Sequence, residues 1–186
     1  MKRLITLRRI NSELTGILFV LAFYIIAWPF LPGLTWWIRH DAPVLASITT
    51  PRISQEIPVE DTLIINSLGL KEKIYEGESV YTVNQGVWRR PNTSTPDRGG
   101  NTVLVGHRFT YSGQSVFYNL DKIKQDDEIT VYWKSKPYSY RVYEISVVPP
   151  TATYVEQPTS DEILTLYTCA PLLTARDRLV IKAKLL

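Results

Sequence analysis

The chain has 186 residues, enough for one ordinary domain and one added segment. With 45% hydrophobic, 21% charged and 11% aromatic residues it is neither a disordered chain nor a collagen or coiled coil. Its net charge is +3, but four of the 21 Lys/Arg and one of the 18 Asp/Glu fall in the first 13 residues; the rest balances at 17 of each and offers no basic face for nucleic acid.

No charged residue occurs from Leu14 to Ile38, a run of 25 residues, and about 20 helical residues cross roughly 30 Å of hydrocarbon. This predicts a transmembrane anchor over 14–38. Its regular helix ends near residue 30, because Pro29 and Pro32 stop or kink it. Lys2, Arg3, Arg8 and Arg9 make residues 1–13 a cytoplasmic basic tail, and Trp28, Trp36 and Trp37 suit the far interface. The expected product is a single-pass protein of the cell membrane whose body is extracellular. A cleaved secretory signal is the rival, but the run exceeds an ordinary signal core, and the nearest small-x-small site lies around Ala42 to Ala46.

Residues 39–60 lack periodicity and hold three prolines, as a stalk or an extended arm does. The domain proper is expected at 61–186. Strands are predicted over Thr62–Asn66, Ser79–Thr82, Thr102–Gly106, Glu128–Trp133, Tyr138–Val148, Ile163–Thr168 and Leu179–Leu185, from alternation or β-branched enrichment. In the last, Leu179, Ile181, Ala183 and Leu185 share one face while Lys182 and Lys184 point outward. Turn-rich stretches lie between at 89–101, 110–115, 134–137 and 149–161, and Ser115–Lys124 reads as one short helix. Tyr111, Tyr118, Tyr140 and Tyr143 read as packing residues. The pattern is all-β, a barrel with short helices rather than alternating βαβ units.

Cys169 is the single cysteine, which excludes an intramolecular disulfide; with only His40 and His107 beside it, a Cys/His metal framework is excluded too. It stands where the strand-like ILTLYT meets Ala170-Pro171. A lone cysteine is commonly a small buried hydrophobe, but His107 also closes an apolar strand and Arg178 opens the last one. If those strand ends converge, they join a nucleophile, a proton carrier and a cationic clamp for an oxyanion. Arg176 is a weaker candidate cation, Arg108 a structural or rim charge, and His40 an interfacial or stalk residue. Asp126, Asp127 and Glu128 form the densest acidic run and read as a solvated turn.

Thr165-Leu166-Tyr167-Thr168-Cys169, with Arg178 nine positions after the thiol, resembles the TLxTC signature of sortases, the membrane-anchored cysteine transpeptidases of Gram-positive-type envelopes. Gly99–Ile129 is similar to their histidine block, and INSLGLKEKIYEG at 65–77 to their opening strand and turn. The resemblance spans roughly residues 60–186. It implies a closed β-barrel of about eight strands, with Cys169 as nucleophile, His107 as general acid/base and Arg178 as the cation on the substrate carbonyl. Tyr167, Thr168 and the 149–161 loop shape the recognition groove; Thr168 either adds a hydroxyl or keeps β geometry.

The implied reaction cleaves an LPxTG-like motif of a secreted protein through a thioester and transfers the acyl group to an amine of a cell wall precursor or a pilin. The implied partners are therefore secreted proteins with a C-terminal sorting motif, the amine acceptor and the membrane, with no metal or organic cofactor. The chain stops at Leu186 without a second apolar span, and no Asp-Pro-aromatic lid precedes residue 90. Both features resemble the housekeeping type. The nine-residue Cys-to-Arg gap resembles pilus-polymerising enzymes, so a pilus-type sortase stays open, as does a non-catalytic, membrane-tethered binding barrel.

Overall fold

Alternation along the C-terminal strand sets the frame of the fold. Leu179, Ile181 and Ala183 turn into the core while Arg178, Lys182 and Lys184 lie on the outer face, the period of two that a half-buried strand requires. The computed structural model describes residues 2–27, 58–110, 113–172 and 174–186. The chain divides into two units, Met1–Thr49 and Thr50–Leu186.

In the second unit the strands are β1 (Thr62–Ile65), β2 (Leu70–Tyr75), β3 (Val87–Arg89), β4 (Asn101–Val105), the hairpin β5 (Phe109–Thr110) and β6 (Gly113–Gln114), β7 (Glu128–Trp133), β8 (Lys136–Val148), β9 (Ile163–Ala170) and β10 (Asp177–Leu185). Eight of them close a barrel in the order β1-β2-β3-β4-β9-β10-β8-β7. Closure leaves the barrel without a free end strand. The pairs β2–β3 and β4–β9 are parallel and the other barrel pairs antiparallel. Leu63, Ile65, Leu104, Ile129, Val131, Leu164, Leu166 and Ile181, all fully buried, fill the interior.

Three expectations are corrected. Ser79–Thr82 is not a strand: Ser79 Oγ accepts from Tyr81 N at 3.3 Å and caps a 3-10 turn over Val80–Gln85. The helix expected over Ser115–Lys124 shrinks to a 3-10 turn at Leu120–Lys122. Phe117, Leu120 and Ile123, spaced by three rather than by the 3.6 of an α-helix, drop into the core. Tyr140 is core, but Tyr143 is 43% exposed, and Tyr111 lies outside the described residues.

Strand β2 is mostly polar, and β3, though Val87 and Trp88 are buried, is too short to show alternation. In β2 only Ile74 is buried, and β3 has three residues; both are held by neighbours on either side.

Gly106 follows β4 where the chain turns against the 115–117 segment. A Cβ there would lie 2.5 Å from Val116 Cγ2 and 2.8 Å from Phe117 Cδ2, so Gly106→Ala is expected to destabilise the fold by about 1–3 kcal/mol through overpacking. The urea midpoint should fall with the slope unchanged; an unmoved midpoint would mean that Val116 simply rotates away.

In the first unit a single helix, α1, spans Lys2–Ala27. The basic stretch is thus already helical, since nothing from Lys2 to Glu13 breaks a helix. Its described side chains, residues 13–26, are all exposed. Among the described residues no helix is long and apolar enough to cross a membrane. The expected anchor at 14–38 and the stalk at 39–60, with His40, extend mostly outside the described residues.

Candidate active site

Parallel pairing of β4 with β9 sets Val105 beside Tyr167, and the contact continues past the strand as Gly106 N donates to Tyr167 O at 3.4 Å. Antiparallel pairing of β9 with β10 sets Cys169 opposite Arg178, and β8 places Val148 beyond it. Side chains directly opposite on neighbouring antiparallel strands have Cβ atoms about 5 Å apart.

Alternation does the rest. Leu164, Leu166 and Ala170 turn into the core, so Thr165, Tyr167 and Cys169 face outward. Thr168 is 1% exposed, and its Oγ1 donates to Gly106 O at 2.7 Å. That bond fastens β9 to the residue before His107.

These strand ends open on one cavity of about 380 Å³, lined by His107, Tyr167, Thr168, Cys169 and Arg178. Val80 and Val83 supply one wall and Val148, Pro149, Ala152 and Val155 another. The floor is therefore polar and reactive, and the sides are largely apolar. A second cavity, of about 410 Å³ and lined by Asn92, Ser94, Arg98 and Glu162 among others, lies away from the thiol.

The thiol of Cys169 is half-buried and not in a disulfide. Arg178 Nη1 donates to Ala175 O at 3.1 Å and to Asp177 O at 2.9 Å, which fixes the guanidinium plane. A guanidinium has five N–H donors, so Nε and Nη2 remain for a substrate oxygen. His107 Nε2 meets Asn84 Oδ1 at 2.8 Å. An amide oxygen only accepts, so this contact assigns the Nε2 proton and leaves Nδ1 to exchange protons when the ring is neutral. Asn84, on the 80–85 turn, is a contact sequence reasoning missed, as nothing local links it to a histidine 23 positions away.

Three further residues on the rim were also missed. Arg90 Nε and Nη2 reach the two oxygens of Glu156 at 2.9 and 3.1 Å, and Tyr167 OH donates to Glu156 as well. The Arg90 guanidinium lies 4.8 Å over the Trp88 ring. Burial, and then the bond to Glu156, push the Tyr167 phenol up, which keeps it a donor.

Of the remaining candidates, Arg108 is 8% exposed and pairs with Asp121 at 2.7 Å, a structural charge. Arg176 reaches out to Asp177 at 3.1 Å with a side chain 79% exposed and does not line the cavity. In the acidic run, Asp127 accepts from Ser67 Oγ and Lys124 N, and Glu128 pairs with Arg141. Among the described residues no three His, Cys, Asp or Glu side chains are grouped to hold a metal ion.

A family model, the sortase domain, matches residues 63–186. The chain is 30% identical over 129 residues to sortase SrtE2 of Streptomyces coelicolor, covering 60% of this chain and 49% of that protein. It is 25% identical over 142 residues to sortase A of Bacillus anthracis, covering 76% of this chain and 60% of that one. Among solved structures, sortase C1 of GBS pilus island 1 superposes with a TM-score of 0.62 at 26% identity, covering 68% of this chain and 63% of that one. The chain thus spans about half to two thirds of the length of these proteins.

Proposed function

Because the chain belongs to the sortase family of cysteine transpeptidases, we propose that it cleaves an LPxTG-like motif of secreted proteins and transfers the acyl group to an amine of the cell wall precursor. The observation that carries this reading is the shared cavity of Cys169, His107 and Arg178. Cys169 Sγ, as thiolate, attacks the threonine carbonyl carbon of the motif. Arg178 donates to the oxyanion from Nε and Nη2. The C–N bond breaks as His107 gives its proton to the departing amine, leaving a thioester on Cys169. An incoming primary amine attacks that thioester, His107 takes its proton, and the new amide leaves as the thiolate reforms. Tyr167 and Thr168 are the groove residues next to the nucleophile.

The 25-residue uncharged run and its basic flank support an N-terminal anchor with the barrel on the outer side of the cell membrane. The missing Asp-Pro-aromatic lid before residue 90 supports the housekeeping type. A second reading, joining of pilin subunits, draws support from the likeness to the GBS pilus-island enzyme. The experiment incubates the full-length chain in detergent with LPxTG-like and LAxTG-like peptides, with and without a primary-amine acceptor, and follows products by mass. An acyl adduct on Cys169 and an amine-dependent ligation product are expected. A thiol that labels readily with iodoacetamide yet never acylates would argue for another donor. A thiol inert to both would favour a binding barrel.

Arg178→Ala is expected to lower transfer on the order of 10²–10³, the cost of one oxyanion donor. The fold should be unchanged, because the side chain lies on the outer face of β10. Arg178→Lys keeps the charge but not the fork and should recover only part of the rate in steady-state assays. Full recovery would reduce the role of Arg178 to its charge.

A further inference from the structure

Glu156 sits where three remote segments meet. It takes two donors from Arg90, which follows β3, and one from Tyr167 on β9, two residues before the nucleophile. Both members of the ion pair are largely shielded, with side chains 31% and 25% exposed. Such a bidentate, charge-assisted contact fixes geometry as well as adding energy.

The same stretch is gripped through its backbone. Asn101 Nδ2 donates to Val155 O and Gln157 O at 3.0 Å each, and Asn101 Oδ1 accepts from Thr165 Oγ1 at 2.8 Å. Just upstream, Val148, Pro149, Ala152 and Val155 form the apolar wall facing the thiol. The near end of that wall is pinned by β8 pairing with β10, Val148 opposite Arg178. Its far end is pinned by Glu156 and Asn101.

We propose that Arg90, Glu156 and Tyr167 form a positioning strut that sets the width of the donor groove, so that the Tyr167 hydroxyl serves substrate binding through Glu156 and not by touching the peptide. This rests on the transpeptidase reading for its substrate, but the strut itself is independent of it. The three residues act on donor binding rather than on the bonds made and broken at Cys169, since neither Arg90 nor Glu156 is tied to His107 or Arg178 by any described contact. Asn101 keeps its two backbone bonds when Glu156 is replaced, so the barrel survives the change.

Two measurements on the full-length chain test this. In Glu156→Ala, amide hydrogen exchange over 151–157 is expected to quicken about tenfold while strands β4, β9 and β10 keep their protection. The KM for the peptide donor that the panel identifies is expected to rise about tenfold with kcat within twofold, the scale of one charge-assisted contact. Glu156→Gln, whose amide oxygen still accepts from Tyr167, should restore part of the loss. Adding Tyr167→Phe to Glu156→Ala should raise KM no further.

Unchanged exchange in Glu156→Ala overturns the strut. Faster exchange with unchanged KM, or with kcat falling as much as kcat/KM, overturns its control of the groove. Additive losses in the double variant overturn the routing through Glu156 and make Tyr167 a direct substrate contact. If the unaltered chain acylates no peptide, the transpeptidase reading fails while the exchange result still decides the strut.

Discussion

Replacing Cys169 by alanine is expected to remove transfer altogether, a loss of at least about 10⁴-fold by analogy with other deleted nucleophiles, with no acyl adduct visible by mass. The loss should be chemical and not structural. Cys169 lies on the outer face of β9, half-buried, whereas the side chains that hold β9 in the barrel are Leu164, Leu166 and Ala170 on the other face. Removing one sulfur atom from a partly exposed position forfeits little apolar burial, well under about 1 kcal/mol, so thermal unfolding should stay close to that of the unaltered chain. No neighbour can substitute. Thr168 donates its hydroxyl proton to Gly106 O, and Tyr167 donates to Glu156, so the two hydroxyls that precede Cys169 on β9 are already engaged, and neither an alcohol nor a phenol matches a thiolate as nucleophile at neutral pH. Transfer that survives in Cys169→Ala would therefore overturn the thioester route itself.

Signals in this chain were legible to the degree that they were local. β10 and β9 could be read because alternation over eight or nine residues is written in consecutive positions, and that alternation alone puts Cys169 and Arg178 at strand ends. His107 was legible the same way, from the apolar run of β4. Their meeting at one cavity was not, since it depends on β4 lying parallel to β9 with Val103 opposite Thr165, a register between segments about sixty positions apart. β2 escaped because it is mostly polar and is held by its neighbours, and β3 because three residues, two of them buried and apolar, are too few to show a period. The 79–82 stretch misled because Val80, Tyr81 and Thr82 have high strand propensity, yet the Ser79 cap and the tight spacing won. Asn84, Arg90 and Glu156 escaped for a third reason. Each is a residue type ordinary in turns, and the partner that gives it meaning is 23 or 66 positions away.

His107→Ala is the second large effect expected, a loss of about 10²–10⁴ in acyl transfer, the range for a positioned acid or base. The geometry explains why alanine, and not merely any change nearby, should matter. The chain reaches His107 from β4 through Gly106, whose carbonyl is held by Thr168, and the His107 carbonyl accepts from Phe117 N at 3.1 Å. The backbone is thus fixed on both sides, and removing the imidazole should leave it in place. Two comparisons separate proton transfer from packing. Imidazole added to the solution should restore part of the rate in His107→Ala but none in Cys169→Ala. A donor with an ester in place of the scissile amide should lose less on the same substitution, because an alkoxide or alcohol departs with less need of a proton than an amine does. Asn84→Ala, which removes only the partner of Nε2, should fall between the unaltered chain and His107→Ala, since the ring remains but its orientation and tautomer are no longer held. If His107→Ala slowed amide and ester donors equally, His107 would not be the group that protonates the departing amine, and its loss would have to act on thiolate formation or on the shape of the cavity.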